Sequence, residues 1–168
     1  GAAGAGLLAH VMAREPGVRA STANAITGRI RIAWDPARTA LVVIDMQNVF
    51  VAPEAVFGNP HALDIIPAVN KLAAAMRMAG GSVIWTRQTV AAHPPLAMAP
   101  WQYDPAIPEV RRALTSMMPG SVVHALHPRM SAAPGDPVID KYRYSAFACP
   151  AGGLESVLRE RDIEMLLI

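Results

Sequence analysis

Cysteine occurs once in these 168 residues, at Cys149. One thiol cannot close an internal disulfide, so the fold must rest on burial, and the composition points to a reducing compartment, the cytoplasm. Charge is also scarce. Asp, Glu, Lys and Arg make up 17% of the chain, against an ordinary share of about 25%. The formal net charge is +2, and no run of Lys and Arg concentrates it, which excludes an electrostatic grip on nucleic acid. Aromatic residues amount to 5%, so the core must be mostly aliphatic. No apolar run approaches the roughly 18 residues of a membrane-spanning helix. The purest runs, residues 40–44 and 165–168, have the length of strands.

What the chain does hold is aliphatic bulk. Hydrophobic residues make up 52%, which excludes a disordered chain. At about 150 residues per domain, the length predicts one domain with a tail. Residues 1–30, rich in Ala and Gly, read as an N-terminal arm or tail, and residues 31–168 as the domain. Residues 30–34 alternate apolar with polar and predict a short edge strand.

Residues 40–45 form a continuous aliphatic run closed by Asp45. Such a run suits a strand covered on both faces, as in a parallel sheet. The spacing of Ile66, Val69, Leu72, Ala73 and Met76 predicts a helix over 66–79, with Pro67 in its first turn and Gly80–Gly81 as its stop. Residues 82–86 predict a second buried strand. Strand, helix, strand is the unit of parallel sheets. A proline-rich connection follows, carrying Pro94, Pro95, Pro100, Pro105 and Pro108, and loops of that length inside a domain are often functional. A short helix is expected over 109–118, irregular chain over 120–134, and a third strand over 137–140. A helix over 153–161 and a fourth strand over 163–168 complete the pattern. The expected fold is α/β, a three-layer αβα domain around a mostly parallel sheet.

Asp45 closes the first buried strand and Lys141 follows the third. In open parallel sheets ligands bind outside the carboxyl ends of the strands. A carboxylate there serves as a base, a metal ligand or a helix cap, and a Lys on the same edge is either solvated or its ionic partner.

These residues lie in stretches that resemble a known family. "TALVVIDMQNVF" at 39–50, the Gly-Ser segment leading to "HP" at 120–128, "PVIDKYRYSAF" at 137–147 and the closing "GLESVLRERDIEMLLI" are similar to the cysteine hydrolases of the isochorismatase-like superfamily. The resemblance runs from about 35 to 168 and is vague between 87 and 118. It implies a catalytic Asp–Lys–Cys triad in which Asp45 and Lys141 match the first two members. The Cys belongs to a turn after the fourth strand, which falls past Ile168, so the domain is expected to be C-terminally incomplete here. The implied reaction is hydrolysis of a C–N bond in a small amide, carbamoyl or ureido compound. A thiol activated at a helix start attacks the carbonyl, and backbone N–H groups hold the oxyanion. Two alternatives stand beside it: isochorismatase-type cleavage of a vinyl ether, and an inactive member acting as a binding module.

The resemblance also places Tyr142, Tyr144, Ser145 and Phe147 near a substrate pocket. Trp101 and Tyr103 in the long connection are candidates to roof it, and the alternative for each aromatic is ordinary packing. The amides of Gln47 and Asn48 are expected to orient Asp45 or cap the following turn, with Gln47 a substrate contact and Phe50 packed under the site. Cys149, among apolar and small neighbours in "FACPAGG", reads as a structural thiol. His93, His124 and His127 do not assemble a three-ligand metal set in the sequence, so no metal and no cofactor are expected. The expected partners are a small-molecule substrate and further copies of the chain, with no nucleic acid and no membrane.

Overall fold

The computed structural model describes residues 34–99 and 101–168. The arm at 1–30 and all but Trp34 of the edge strand expected at 30–34 lie outside those residues. The described domain opens on Asp35, whose carboxylate accepts a hydrogen bond from the Ala37 N–H at 3.0 Å and starts a 3-10 turn, Pro36–Arg38. Strand β1, Thr39–Ile44, follows. Then come a one-turn helix α1, Asn48–Val51, and the long helix α2, Ala62–Met78. Strand β2 is Ser82–Gln88, helix α3 Pro108–Ser116 and strand β3 Val138–Lys141. A second 3-10 turn, Ala146–Ala148, leads to helix α4, Gly153–Glu160, and strand β4, Met165–Leu167.

The four strands form one sheet in the order β3-β2-β1-β4, with every pairing parallel. Because side chains alternate across a strand, β1 feeds two cores at once. Leu41 and Val43, with Val83 and Trp85, pack against Ile66, Ala73 and Met76 of α2. Ala40 and Val42, with Ile84 and Ile139, pack against Leu154 and Leu158 of α4. The sheet is thus a middle layer between helices, and its unalternating aliphatic sequence is the signature of that double burial. The chain steps outward from β1 to β2 to β3, then crosses back through α4 to β4 on the far side of β1. Ligands of open α/β sheets bind near such a reversal, at the carboxyl ends of the strands.

Helix α2 starts a turn earlier than its apolar stripe suggests. Asn59 is the reason: its side-chain oxygen accepts from the His61 N–H at 2.9 Å and its carbonyl from the Ala62 N–H at 3.0 Å. Pro67 therefore sits inside the helix rather than in its first turn. The stop falls where expected. Gly80 takes φ +84°, its N–H reaches the Arg77 carbonyl, and the Gly81 N–H reaches the Met76 carbonyl. This is a Schellman closure, which favours glycine because of its left-handed residue. A Cβ on Gly81 would lie 2.2 Å from the Met76 sulfur.

Asp136 ties helix to sheet. Its carboxylate accepts from the Arg77 guanidinium of α2, from the Trp85 indole N–H at 2.8 Å and from the Ala133 N–H at 2.9 Å. Burial alone would raise this carboxyl. The bonds from Arg77, Ala133 and Trp85 outweigh it and hold the group below its ordinary value. A depressed carboxyl lends stability that is complete above its unfolded value of about 3.9 and is lost as pH falls through the folded one. Asp136→Asn is expected to cost about 2–3 kcal/mol near neutrality, the range for losing a charged hydrogen-bond partner. It should also flatten the acid limb of stability against pH. Urea melts between pH 3 and 7 that show the same acid limb in both proteins would refute this role.

Candidate active site

Asp45 ends β1 in a left-handed conformation, φ 54°. Asp is among the few side chains that tolerate this region. Its N–H still reaches the Thr86 carbonyl at 3.1 Å, so the strand ladder runs up to the reversal and stops there. Lys141 is the last residue of β3 and pairs with Gln88 of β2. One strand lies between β1 and β3, so their axes are roughly 10 Å apart. The four-carbon stem of Lys141 spans that gap, and its Nζ stands 2.7 Å from Asp45 Oδ2. The pair is well shielded, with side-chain exposures of 4% for Lys141 and 21% for Asp45.

Strand β2 holds the pair from below. The Thr86 hydroxyl donates to Asp45 Oδ1 at 2.9 Å, and Lys141 Nζ donates to Gln88 Oε1 at 2.6 Å. Thr86 and Gln88 are two residues apart and so project from the same face of β2. Sequence reasoning passed over both. The available signal was a Thr and a Gln at alternate positions at the carboxyl end of a buried strand, where polar side chains need partners.

Gln47 is placed beneath the site, not on its wall. It is fully buried, and its amide is consumed by main chain. Nε2 donates to the carbonyls of Gln88 at 3.1 Å and His124 at 2.7 Å, and Oε1 accepts from the Gln88 N–H at 2.7 Å. Asn48 donates to the Val122 carbonyl at 2.8 Å. Both amides therefore fasten the 120–127 segment against α1, and neither contacts Asp45.

His124 is buried behind the same strand ends. Its Nε2 lies 2.8 Å from the Thr89 hydroxyl and 3.7 Å from Asp140 Oδ1. The Thr89 hydroxyl also lies 3.2 Å from the Arg87 carbonyl. Burial, and then the Arg87 charge, push the imidazole below its ordinary value against the pull of Asp140. His124 is accordingly neutral at pH 7. His127 accepts from the Arg129 N–H through Nδ1, and His93 is exposed. Among the described residues, no three His, Cys, Asp or Glu side chains come together as a metal-holding group.

Asp45, Gln88 and Lys141 form the polar floor of a cavity of about 390 Å³. Phe50, Phe57, Tyr103, Met117 and Tyr144 supply the rest of its lining. The Tyr103 and Tyr144 hydroxyls are hydrogen-bonded to each other. Burial, then this bond, raises the Tyr103 phenol. Arg143 fixes the Tyr144 segment by donating to the carbonyls of Leu96 and Pro95. Tyr144, Ser145 and Phe147 line a neighbouring apolar hollow of about 210 Å³ beside β4, which also reaches Lys141. Ser145 caps the 3-10 turn through the Phe147 N–H. Tyr142 is half-buried, and burial, then Asp140, raises its phenol. It is absent from both linings, as is Trp101, which is 84% exposed. Cys149 is buried at the end of the 3-10 turn and is also outside the cavity of Asp45 and Lys141.

The acid–amine pair lies at the carboxyl edge of a parallel α/β sheet covered on both faces, the edge at which open sheets of this class bind ligands. The chain belongs to the isochorismatase family, whose isochorismatase domain matches residues 39–168. A ureidoacrylate amidohydrolase, RutB, of Methylobacterium radiotolerans is 33% identical over 150 residues, which cover 81% of this chain and 57% of that protein. Another, from Pseudomonas syringae pv. syringae, is 33% identical over 148 residues, 79% of this chain and 58% of its own. The crystal structure of a cysteine hydrolase from Pseudomonas syringae pv. phaseolicola 1448A superposes with a TM-score of 0.65 at 27% identity, over 80% of this chain and 60% of that one. The chain therefore spans about three fifths of the length of the relatives it matches. No described helix is long and apolar enough to cross a membrane.

Proposed function

We propose that the intact protein hydrolyses a C–N bond of a small amide, carbamoyl or ureido compound, with Asp45 as proton acceptor and Lys141 as its ionic partner. The observation that carries this reading is the 2.7 Å pair of Lys141 Nζ and Asp45 Oδ2 lining a cavity otherwise walled by Gln88, Met117 and aromatic side chains. The amidohydrolase and cysteine hydrolase names borne by its relatives support the reaction class.

The nucleophile is a thiol from a segment following Ile168, seated at the carboxyl edge beside β1 and β4. Asp45 removes its proton and the adjacent Lys141 charge favours the thiolate. The thiolate attacks the carbonyl carbon to give a tetrahedral oxyanion. The nitrogen leaves as ammonia or amine, taking the proton held by Asp45, and a thioester remains. Water, deprotonated by Asp45, releases the acid and restores the thiol. Cys149, buried outside the cavity, takes no part.

The test is ammonia release from ureidoacrylate and simple amides by the complete encoded protein and by its Cys149→Ser variant. Both are expected to turn over, at rates within about twofold, because a structural thiol replaced by a hydroxyl changes packing and not chemistry. Complete inactivity of the parent on amides and ureides would overturn the reaction class. A folded but dead Cys149→Ser variant would overturn the placement of the nucleophile.

A further inference from the structure

A second cavity, of about 260 Å³, lies between the proline-rich connection and α3. Tyr103 is the one lining residue that it shares with the cavity of Asp45 and Lys141. Val90, Ala97, Met98, Leu114 and Met118 make its walls apolar, and the two thioethers among them adapt to irregular aliphatic shapes. Its polar side chains are few. The Thr115 hydroxyl donates to the Arg111 carbonyl within α3 at 2.9 Å, and the Tyr103 hydroxyl is paired with that of Tyr144. Arg111 is the lining residue with N–H groups to spare.

Arg111 is also the one charged residue of this lining. Its Nε donates to the Pro105 carbonyl at 2.9 Å, and a terminal nitrogen reaches the Ala106 carbonyl at 3.5 Å. A guanidinium carries five N–H donors, so the rest stay open. The two carbonyls hold the group in place without neutralising it. Among the described residues Arg111 forms no ion pair. The acids nearest to it in sequence are occupied. Glu109 binds Arg112 at 3.1 Å, and Asp104 Oδ1 accepts the Ala106 N–H at 2.8 Å. Arg111 is exposed, so an anion can meet it while keeping part of its own water.

We infer that this cavity is a second ligand site, which takes a small aliphatic monocarboxylate with its headgroup on Arg111 and its chain against Met98, Leu114 and Met118. An apolar wall beside an uncompensated guanidinium matches that chemistry at both ends. The guanidinium fork accepts a carboxylate through parallel N–H bonds, and the chain displaces water from the wall. A neutral aliphatic molecule leaves the cation unmatched, and a bare anion leaves the wall wet. The volume falls just under the roughly 300 Å³ at which ligand pockets begin, so the chain is a short one. The site goes beyond the hydrolase reading and stands whether or not an amide is cut in the neighbouring cavity.

The experiment is calorimetric titration of the complete protein with acetate, butyrate and hexanoate, and with 1-hexanol as the neutral match. Affinity is expected to rise along the acids, by up to about fourfold for each methylene buried. Hexanoate is expected to bind about fivefold tighter than hexanol, the upper range for an exposed ion pair. Arg111→Gln should bring hexanoate down to the hexanol level. Ala97→Leu keeps the guanidinium and its carbonyl contacts but fills the cavity, and it should abolish the binding of both. It decides the matter even if Arg111→Gln disturbs the loop. Hexanoate is also the type of acid an amide hydrolase releases, so it has a rival seat over Asp45 and Lys141. An affinity for hexanoate unchanged in both variants would place it there and overturn the second site. Affinity that is flat along the acids, hexanol binding as tightly as hexanoate, or no binding of any acid would overturn it too.

Discussion

Lys141→Met in the complete protein is expected to lower kcat by at least about a hundredfold and to lower the melting temperature as well. Lys141 is 3% exposed, and a buried ammonium has surrendered its water for Asp45 and Gln88. Removing one partner of a buried pair leaves the other uncompensated, here the Asp45 carboxylate and Gln88 Oε1, a loss of up to about 3–5 kcal/mol that the 21% exposure of Asp45 moderates. The loss of rate has a different origin. Without Lys141 the developing thiolate has no adjacent cation, and the loss sits in the range for removing a group that assists proton transfer. Asp45→Asn is expected to lose at least as much rate, because an amide cannot take the proton. It should also lower stability, because it leaves Lys141 charged and buried against neutral oxygens, a situation that costs about 3–5 kcal/mol when no partner remains. A loss of rate in both variants while they remain folded, beyond what their lowered stability accounts for, is the signature of a working ion pair. Near-normal turnover in either folded variant would remove the pair from the chemistry and leave it a structural bridge.

The residues that made the fold legible did so through burial. The run at 40–45 suits a strand covered on both faces, and β1 is one of the two strands with neighbours on each side, with helices above and below. Helix α2 was legible in its stripe and its glycine stop, but not at its start, because an Asn59 side chain sets that boundary and leaves no mark in the apolar period. Strand β2 runs two residues past the apolar segment. Arg87 and Gln88 are polar, yet pairing with Asp140 and Lys141 of β3 carries the ladder on.

The candidate site divides in the same way. Asp45 and Lys141 could be singled out because each closes an aliphatic run, and strand ends of a parallel sheet share an edge. Gln47 was drawn toward the substrate by its nearness to Asp45 in sequence. The two stay adjacent, with the Gln47 N–H on the Asp45 carbonyl at 2.7 Å, but the Gln47 side chain is taken up by the main chain of Gln88 and His124. Trp101 and Tyr103 are two residues apart in one loop, and nothing local in the chain says which of them faces the cavity.

Gln47→Leu is expected to be the most destabilising single substitution at the site, and it decides what Gln47 is for. Three main-chain groups depend on this amide, namely the Gln88 N–H, the Gln88 carbonyl and the His124 carbonyl. Leucine fills much of the volume and satisfies none of them. Each buried group left without a partner costs about 1–3 kcal/mol, so the sum takes a large share of the roughly 5–15 kcal/mol that holds a domain folded. A fall in melting temperature of roughly 10 °C or more follows. Catalysis should decline with it, because Gln88 is the residue whose side chain grips Lys141. Gln47→Glu gives a second reading with an inverted pH dependence. The introduced carboxylate would face the Gln88 and His124 carbonyls, so the fold raises its pKa above the unfolded value of about 4.3. A raised carboxyl keeps its full stability below the unfolded value and loses it as pH rises through the folded one. That variant should therefore melt higher at pH 4 than at pH 7, relative to the parent at each pH. If Gln47 instead contacted substrate, Gln47→Leu would raise KM and leave the melting temperature within about 2 °C of the parent, a shift smaller than one lost hydrogen bond produces.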